Sequence, residues 1–179
     1  MKKLLMTICL MLSSMSMFAE QGEMWVGLTG NAGLNSNYKN YGPGLKFQYE
    51  PLNNVRLEAS ANYFFKTSYA TYSDISIWDA NLNVQYVFRF GDFGIYPMVG
   101  GSLVNKIYDD VTLDFNTSSS QVAWTLYENH QNESKMAFSA GAGLEYKILP
   151  KLKVNGEFRM QIMQNNNRPI VSVGVAYAL

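Results

Sequence analysis

Between Trp78 and Phe90 apolar side chains take every second position: Trp78, Ala80, Leu82, Val84, Tyr86, Phe88 and Phe90 alternate with Asp79, Asn81, Asn83, Gln85, Val87 and Arg89. A period of two is that of an extended strand with one greasy and one wet face. The pattern recurs along the chain. Leu45, Phe47 and Tyr49 alternate with Lys46, Gln48 and Glu50; Val55 to Phe65 do so with Arg56, Glu58, Ser60 and Asn62; Met136 to Tyr146 with Ser139, Gly141, Gly143, Glu145 and Lys147. Leu152 to Ile162 and Val171 to Leu179 repeat it, the former against Lys153, Asn155, Glu157, Arg159 and Gln161. A Gly-rich segment, Met24 to Gly33, predicts a first strand whose facing the pattern leaves open, and a weaker strand begins at Ile95, near Pro97, Gly100 and Gly101.

These segments predict eight strands joined up and down. Short connections near Pro51, Asp92 and Pro150 alternate with longer polar ones near Asn37, Thr71, Ser119 and Asn166, with Lys66 to Ile75 and Gln164 to Arg168 read as loops. One rim is trimmed and the other elaborated, as in outer-membrane barrels. Tyr108 to Lys135 is read as the fifth and sixth strands carried beyond the membrane into a protruding hairpin, turning at Asn116 to Ser120. An open sheet would leave unpaired edges, so closure is expected. The predicted architecture is an all-β, eight-stranded antiparallel up-and-down transmembrane β-barrel with a protruding hairpin.

Alternation alone does not decide which face meets water, because a soluble ligand-binding barrel alternates with its apolar face inward. Aromatic residues favour the membrane. Tyr49, Phe88, Phe90, Tyr96, Tyr146 and Tyr177 fall beside the short turns, and Tyr41, Tyr63, Phe65, Trp78 and Phe138 at the other strand ends, as two interfacial belts would. Composition agrees: charged residues are 16% of the chain, low for a soluble protein, yet no long apolar run follows the N-terminus.

At the N-terminus Lys2 and Lys3 precede an apolar run from Leu4 to Leu12, and Ala19 precedes Glu20-Gln21-Gly22. This predicts a cleaved secretory signal over residues 1–19 and a barrel domain over 20–179. The single cysteine, Cys9, lies in that signal, so disulfides would not hold the mature chain. Removing Lys2 and Lys3 takes 14 basic against 14 acidic residues to 12 against 14, too balanced to suggest nucleic acid.

With lipid outside, Lys46, Glu50, Arg56, Glu58, Asp79, Arg89, Glu145, Lys147, Lys153, Glu157 and Arg159 point inward. Eight strands enclose a lumen that side chains can fill, and unpaired charges there would be very costly. The expectation is an interior plugged by ion pairs; a narrow solute pathway is the alternative. Candidate chemistry elsewhere is thin. His130, the only histidine, has Glu128, Glu133 and Ser134 nearby but sits in a segment read as loop, and reads as solvated rather than as a base for lipid hydrolysis. Asp109, Asp110, Asp114 and Glu128 lack calcium-loop spacing, and no glycine stretch matches a phosphate-binding fingerprint, so no metal and no cofactor is expected. Val122, Trp124, Leu126 and Tyr127 give the hairpin more apolar surface than a simple loop needs, a candidate partner surface by strand addition.

On its alternating strands, such as Asn81 to Phe90 and Val154 to Ile162, and its final Val171-Ser172-Val173-Gly174-Val175-Ala176-Tyr177-Ala178-Leu179, the chain from about residue 22 to 179 resembles the small eight-stranded outer-membrane barrels, the OmpA membrane domain and OmpX/Ail-like group. That group usually ends in an aromatic residue used in assembly, where this chain has Leu179 with Tyr177 two positions earlier. The resemblance implies an integral bacterial outer-membrane protein with a structural or adhesin-like role and no enzymatic activity. Its implied partners are outer-membrane lipid and lipopolysaccharide, the barrel assembly machinery, and host or cell-surface molecules met by external loops. A small-solute channel and a lipid A-modifying enzyme remain as alternatives.

Overall fold

The computed structural model describes residues 22–34, 39–70, 73–116, 123–163 and 167–179, with side chains described for all of these except 67–70, 73–74, 108–116 and 123–132. Among the described residues nine strands follow one another: β1 (Met24–Leu34), β2 (Lys39–Leu52), β3 (Val55–Ala70), β4 (Ser73–Tyr86), β5 (Phe88–Phe90), β6 (Phe93–Asn116), β7 (Ala123–Leu149), β8 (Leu152–Ile162) and β9 (Arg168–Ala178). Each pairs antiparallel with its sequence neighbour except β4 with β5; β1 pairs with β9 and β4 with β6, so the ring is closed. Strands β4 and β5 are one stave. They are interrupted only at Val87, whose N–H turns to the carbonyl of Asn54 at 2.7 Å, while Gln85↔Met98 and Phe88↔Ile95 keep a single register against β6. The barrel therefore has eight staves. Closure pairs the backbone polar groups within the sheet, which is what a strand needs to cross hydrocarbon. Among the described residues no helix is long and apolar enough to do so.

The trimmed rim carries tight turns. Leu52↔Val55, Phe90↔Phe93 and Leu149↔Leu152 each leave two residues between paired strands. The first turn lies at Asn53-Asn54, the second half of the Pro51 to Asn54 segment expected to turn, and Asn54 takes a φ of 72°, a conformation asparagine tolerates better than most residues with a Cβ. Gly91 opens the second at φ 65°, as a two-residue hairpin turn requires.

At the opposite rim the strands are longer than the alternation suggested. Lys66 to Ala70 belong to β3 and Ser73 to Ile75 to β4, and Arg168 opens β9, so most of the first expected loop and the end of the second are sheet. The polar composition of those segments reflects where the strands leave the apolar belt, not where they end. Beyond Ser73↔Asp110 and Phe138↔Ile162, β6 and β7 pair with each other alone, as far as Asn116↔Ala123. The expected signal (1–19) and Val122 lie outside the described residues. So do the side chains of Asp109, Asp110, Asp114, Trp124, Leu126, Tyr127, Glu128 and His130.

Polarity is inverted relative to a soluble barrel. Leu28, Leu82 and Val173 are 67%, 71% and 67% exposed, whereas Arg56, Asp79 and Gln161 are fully buried. In β1, whose facing the sequence left open, Trp25 points inward and Val26 and Leu28 outward. Tyr41 and Tyr49, Trp78 and Tyr86, and Phe138 and Tyr146 are each eight residues apart on the outer face. That is about 26 Å along a strand and about 20 Å along the barrel axis at a tilt of roughly 40°, close to the height of a membrane barrel's apolar band. Tyr63 faces Trp78 across β3 and β4, and Phe93 faces Tyr146 across β6 and β7, so the rings gather at two levels.

Candidate functional site

The lumen is filled by three tiers of polar side chains, each delivered by the inward half of a strand's alternation. At the turn side, Arg56 on β3 spans the interior. Its Nε and Nη2 donate to Glu50 Oε1 at 2.8 and 2.7 Å, and its Nη1 and Nη2 to the two oxygens of Glu145 on β7 at 2.8 and 2.7 Å. Each carboxylate has a second cation: Arg89 pairs with Glu50, and Lys153 Nζ lies 3.1 Å from Glu145. Lys153 also sits 4.3 Å from the centre of the Trp25 ring, and the Arg56 guanidinium 5.4 Å from that of Tyr96. Two-pronged guanidinium–carboxylate pairs of this kind are among the strongest polar contacts.

In the middle tier Lys46 on β2 lies between Glu58, at 3.4 Å, and Glu157 on β8, with which it forms a close ion pair. Glu58 accepts from the amides of Gln48, Asn83 and Gln85 at 3.0, 3.1 and 2.8 Å. Glu157 accepts from the Tyr96 hydroxyl at 2.7 Å. The third tier centres on Asp79, whose carboxylate takes four donors: Asn62 and Asn81 at 2.7 Å, Gln161 and Arg168 at 3.2 Å. Beyond it, inward-facing Phe64, Ile75, Ile77, Val104, Met163 and Ile170 form an apolar cap at the loop end, with the Arg168 guanidinium 3.9 Å from the centre of the Phe64 ring.

Of the eleven residues expected in the lumen, nine are buried there: Lys46, Glu50, Arg56, Glu58, Asp79, Glu145, Lys153, Glu157 and Arg159. Arg159 has two buried donors, Nε and Nη1, without a hydrogen-bond partner. Arg89 and Lys147 lie part-exposed at the turn rim, Lys147 3.7 Å from Glu23. The remaining differences follow from strand parity. Tyr96 does not join the lipid-facing aromatic belt, because Ile95, Pro97 and Val99 face outward on β6 and Tyr96 between them faces in. Its ring occupies the space left by Gly143 on β7, where a Cβ would come within 2.5 Å of the ring. Arg168 was hidden in a segment read as loop, and Lys106 in a strand of weak alternation; both are buried. Sequence reasoning also missed that the lumen has an apolar cap. Ile75 and Ile77 share the parity of Asp79, the signal that would have placed them inside. Among the described residues, no three of His, Cys, Asp or Glu gather as a metal site.

Below the apolar cap the inward groups are mostly paired charges and amides, and the outward ones are a lipid belt. The chain is similar in fold to Neisserial surface protein A (14% identity, TM-score 0.62, covering 88% of this chain and 96% of that one). It is likewise similar to Ail, the attachment invasion locus protein of Yersinia pestis (16% identity, TM-score 0.59, 88% and 97%), and to a major outer membrane protein of Thermus thermophilus (10% identity, TM-score 0.63, 87% and 99%). No curated protein matches the sequence. The sequence model of the outer membrane protein beta-barrel domain matches residues 5–178, nearly the whole chain. Together with a closed barrel that wears its apolar residues outside, this match establishes that the chain belongs to the outer membrane protein beta-barrel family and is integral to the outer membrane.

Proposed function

We propose that this protein is a non-enzymatic barrel with a sealed lumen, whose work is done by what it presents outside the membrane: a structural or adhesin-like surface protein. The observation that carries the reading is the Arg56 clamp, which reaches from Glu50 to Glu145 across the interior. Moving a solute past it would separate charges in a low-dielectric space, at a cost of several kcal/mol. With the interior closed, the long β6–β7 pair and the other loop-side connections are the parts left to meet a partner. In this reading Trp124, Leu126 and Tyr127, with Val122, form the partner surface, and an exposed strand edge accepts an added strand. The barrel assembly machinery inserts the chain, and lipopolysaccharide surrounds its external half.

Three measurements test this. Purified protein in planar bilayers is expected to show no steady conductance; a stable open level of porin size would replace the sealed barrel with the channel alternative. Cells displaying a chain in which residues 111–128 are replaced by a four-residue turn are expected to lose adhesion to matrix-coated surfaces while keeping the barrel in the outer membrane. Unchanged adhesion relative to the full chain, or none by the full chain, would overturn the surface role. Lipid A modification that is present with the full chain and lost on His130→Ala would overturn the non-enzymatic reading.

A further inference from the structure

Past the loop-side rim the barrel narrows to a ribbon of two strands. Beyond Phe138↔Ile162, β7 has no neighbour on its β8 side among the described residues, so its backbone edge is open from Ala123 to Ala137. On the other side of the ribbon β6 is open only from Val111 to Asn116. Two strands alone are marginal in water, and an open edge is a template for a further strand.

Parity decides which residues offer hydrogen bonds at the longer edge. The Lys147 N–H donates to the Asp92 carbonyl at 2.8 Å, on the β6 side, and the β6–β7 register runs without a shift from Phe93↔Tyr146 to Asn116↔Ala123. Odd-numbered residues of β7 therefore bond to β6. The N–H and C=O groups of Trp124, Leu126, Glu128, His130, Asn132 and Ser134 point to the open side. On β6 the same rule leaves only Val111, Leu113 and Phe115.

An antiparallel partner must oppose outward-bonding residues with outward-bonding residues, and a copy of the β7 edge meets that condition against itself. Centred on Asn129, the pairing sets Trp124 opposite the partner's Ser134, Leu126 opposite the partner's Asn132 and Glu128 opposite the partner's His130. Glu133 then stands opposite the partner's Thr125 and Lys135 opposite the partner's Ala123, so no like charges meet. Neighbouring registers are worse. Centred on Glu128, two carboxylates would stand face to face; centred on His130, each tip would run level with Ala137 and meet the end of β8. Direction adds a further condition. Because β6 and β7 continue their staves outward, an antiparallel copy is inverted and cannot stand in the same membrane with its loops outside.

We propose that the open edge of β7 binds the same edge of a second copy of this chain on a facing cell, joining two ribbons into one four-stranded sheet. The inference rests on the strand-addition surface proposed above and names its occupant. The overlap, from Ala123 to Lys135, is about 40 Å of strand. Main-chain bonds supply the hold and the Glu128–His130 positions the register.

The test is the settling of suspended bacteria that display the chain and lack O-polysaccharide, so that the ribbons can meet. Cells with the wild-type chain are expected to clump and clear at least fivefold faster than cells without it. Leu126→Pro with Asn132→Pro removes two donors from the open edge and none from the β6 pairing, and is expected to abolish clumping. His130→Glu sets carboxylates opposite each other and is expected to do the same. Its cells should nevertheless enter mixed clumps with cells carrying Glu128→Lys, since the lysine introduced at 128 then stands opposite the glutamate introduced at 130. Mobility unboiled and boiled on a gel verifies folding, and the mixing experiment stands without the prolines should that variant not fold. Clumping by the proline variant equal to wild type, or a mixture that excludes the His130→Glu cells, would overturn the proposal. So would wild-type cells that clump equally with cells lacking the chain, which would put another molecule on the edge. Wild-type cells that bind matrix without clumping would overturn it and leave the surface role standing; clumping without matrix binding would support the pairing and remove the matrix as partner.

Discussion

The tier around Asp79 allows a sharp test, because the carboxylate is met by donors only. Oδ1 accepts from the amides of Asn62 and Asn81, both at 2.7 Å, and Oδ2 from Gln161 Nε2 and Arg168 Nη1, both at 3.2 Å. Asp79→Asn preserves shape and removes one charge. However the new amide is turned, its NH2 group faces two donors, so two hydrogen bonds are lost and the Arg168 guanidinium loses its carboxylate while fully buried. All four bonds are charge-assisted through the carboxylate, and breaking a buried, hydrogen-bonded ion pair by neutralising one partner gives a destabilisation of about 3–5 kcal/mol.

Adding Arg168→Met should return much of this. The thioether side chain suits its neighbour Phe64, and Gln161 Oε1, which accepts from Arg168 at 3.4 Å, becomes free to accept from the amide introduced at position 79. The double variant is expected to be about 2 kcal/mol more stable than the sum of the two single effects. Urea unfolding of the protein in lipid vesicles, followed by tryptophan emission and by unboiled gel mobility, reads the difference. At a slope of roughly 2 kcal/mol per molar, Asp79→Asn should move the midpoint down by about 1.5–2.5 M. An Asp79→Asn protein within about 1 kcal/mol of wild type, or a double variant that is simply additive, would refute the account of the tier.

On the lipid face, Leu82→Arg places a charge in mid-belt and is expected to cost about 2–4 kcal/mol in the same vesicle assay, whereas Leu82→Phe should be nearly neutral. Tyr96→Phe removes the hydroxyl that donates to Glu157 and should cost about 1.5–3 kcal/mol, as bonds to charged groups do. Gly143→Val should cost more than Tyr96→Phe, because its side chain would occupy the space of the Tyr96 ring; equal stability of the two variants would contradict the packing. At the first turn, Asn54→Ala should lose about 1 kcal/mol through its left-handed backbone and Asn54→Gly should lose almost nothing, as the same urea midpoints will read.

Much of this barrel was legible because a membrane strand writes its two environments into alternate letters. Lys46, Arg56, Glu58, Asp79, Glu145 and Glu157 could be placed inside from parity alone, given a lipid exterior. Parity also held the information that was not used: it assigns Tyr96, Ile75 and Ile77 to the lumen, but an aromatic ring near a turn and isoleucines beside a polar stretch invite other readings. Strand ends were harder. Outside the hydrocarbon both faces are wet, so Lys66 to Ala70 lose the alternation while the backbone pairing continues. The partners within the lumen were beyond reach of pattern, because which carboxylate meets Arg56 depends on the stagger of β7 against β3 across the barrel, and no local signal encodes it.

The two faces also answer to different constraints. Outward positions need only be apolar at the right height, so Leu, Val, Phe and Ala are interchangeable there except where a shorter side chain opens a groove. Inward positions are read jointly: Glu145 serves Arg56 and Lys153, Glu157 serves Lys46 and Tyr96, and Asp79 serves Arg168 and three amides. A one-residue slip between any two staves would carry charges into lipid and leucines into the lumen. The paired interior therefore specifies the register as well as filling the space. A slipped strand is penalised on both faces at once, and this selects one barrel from a chain whose lipid-facing half carries little sequence information.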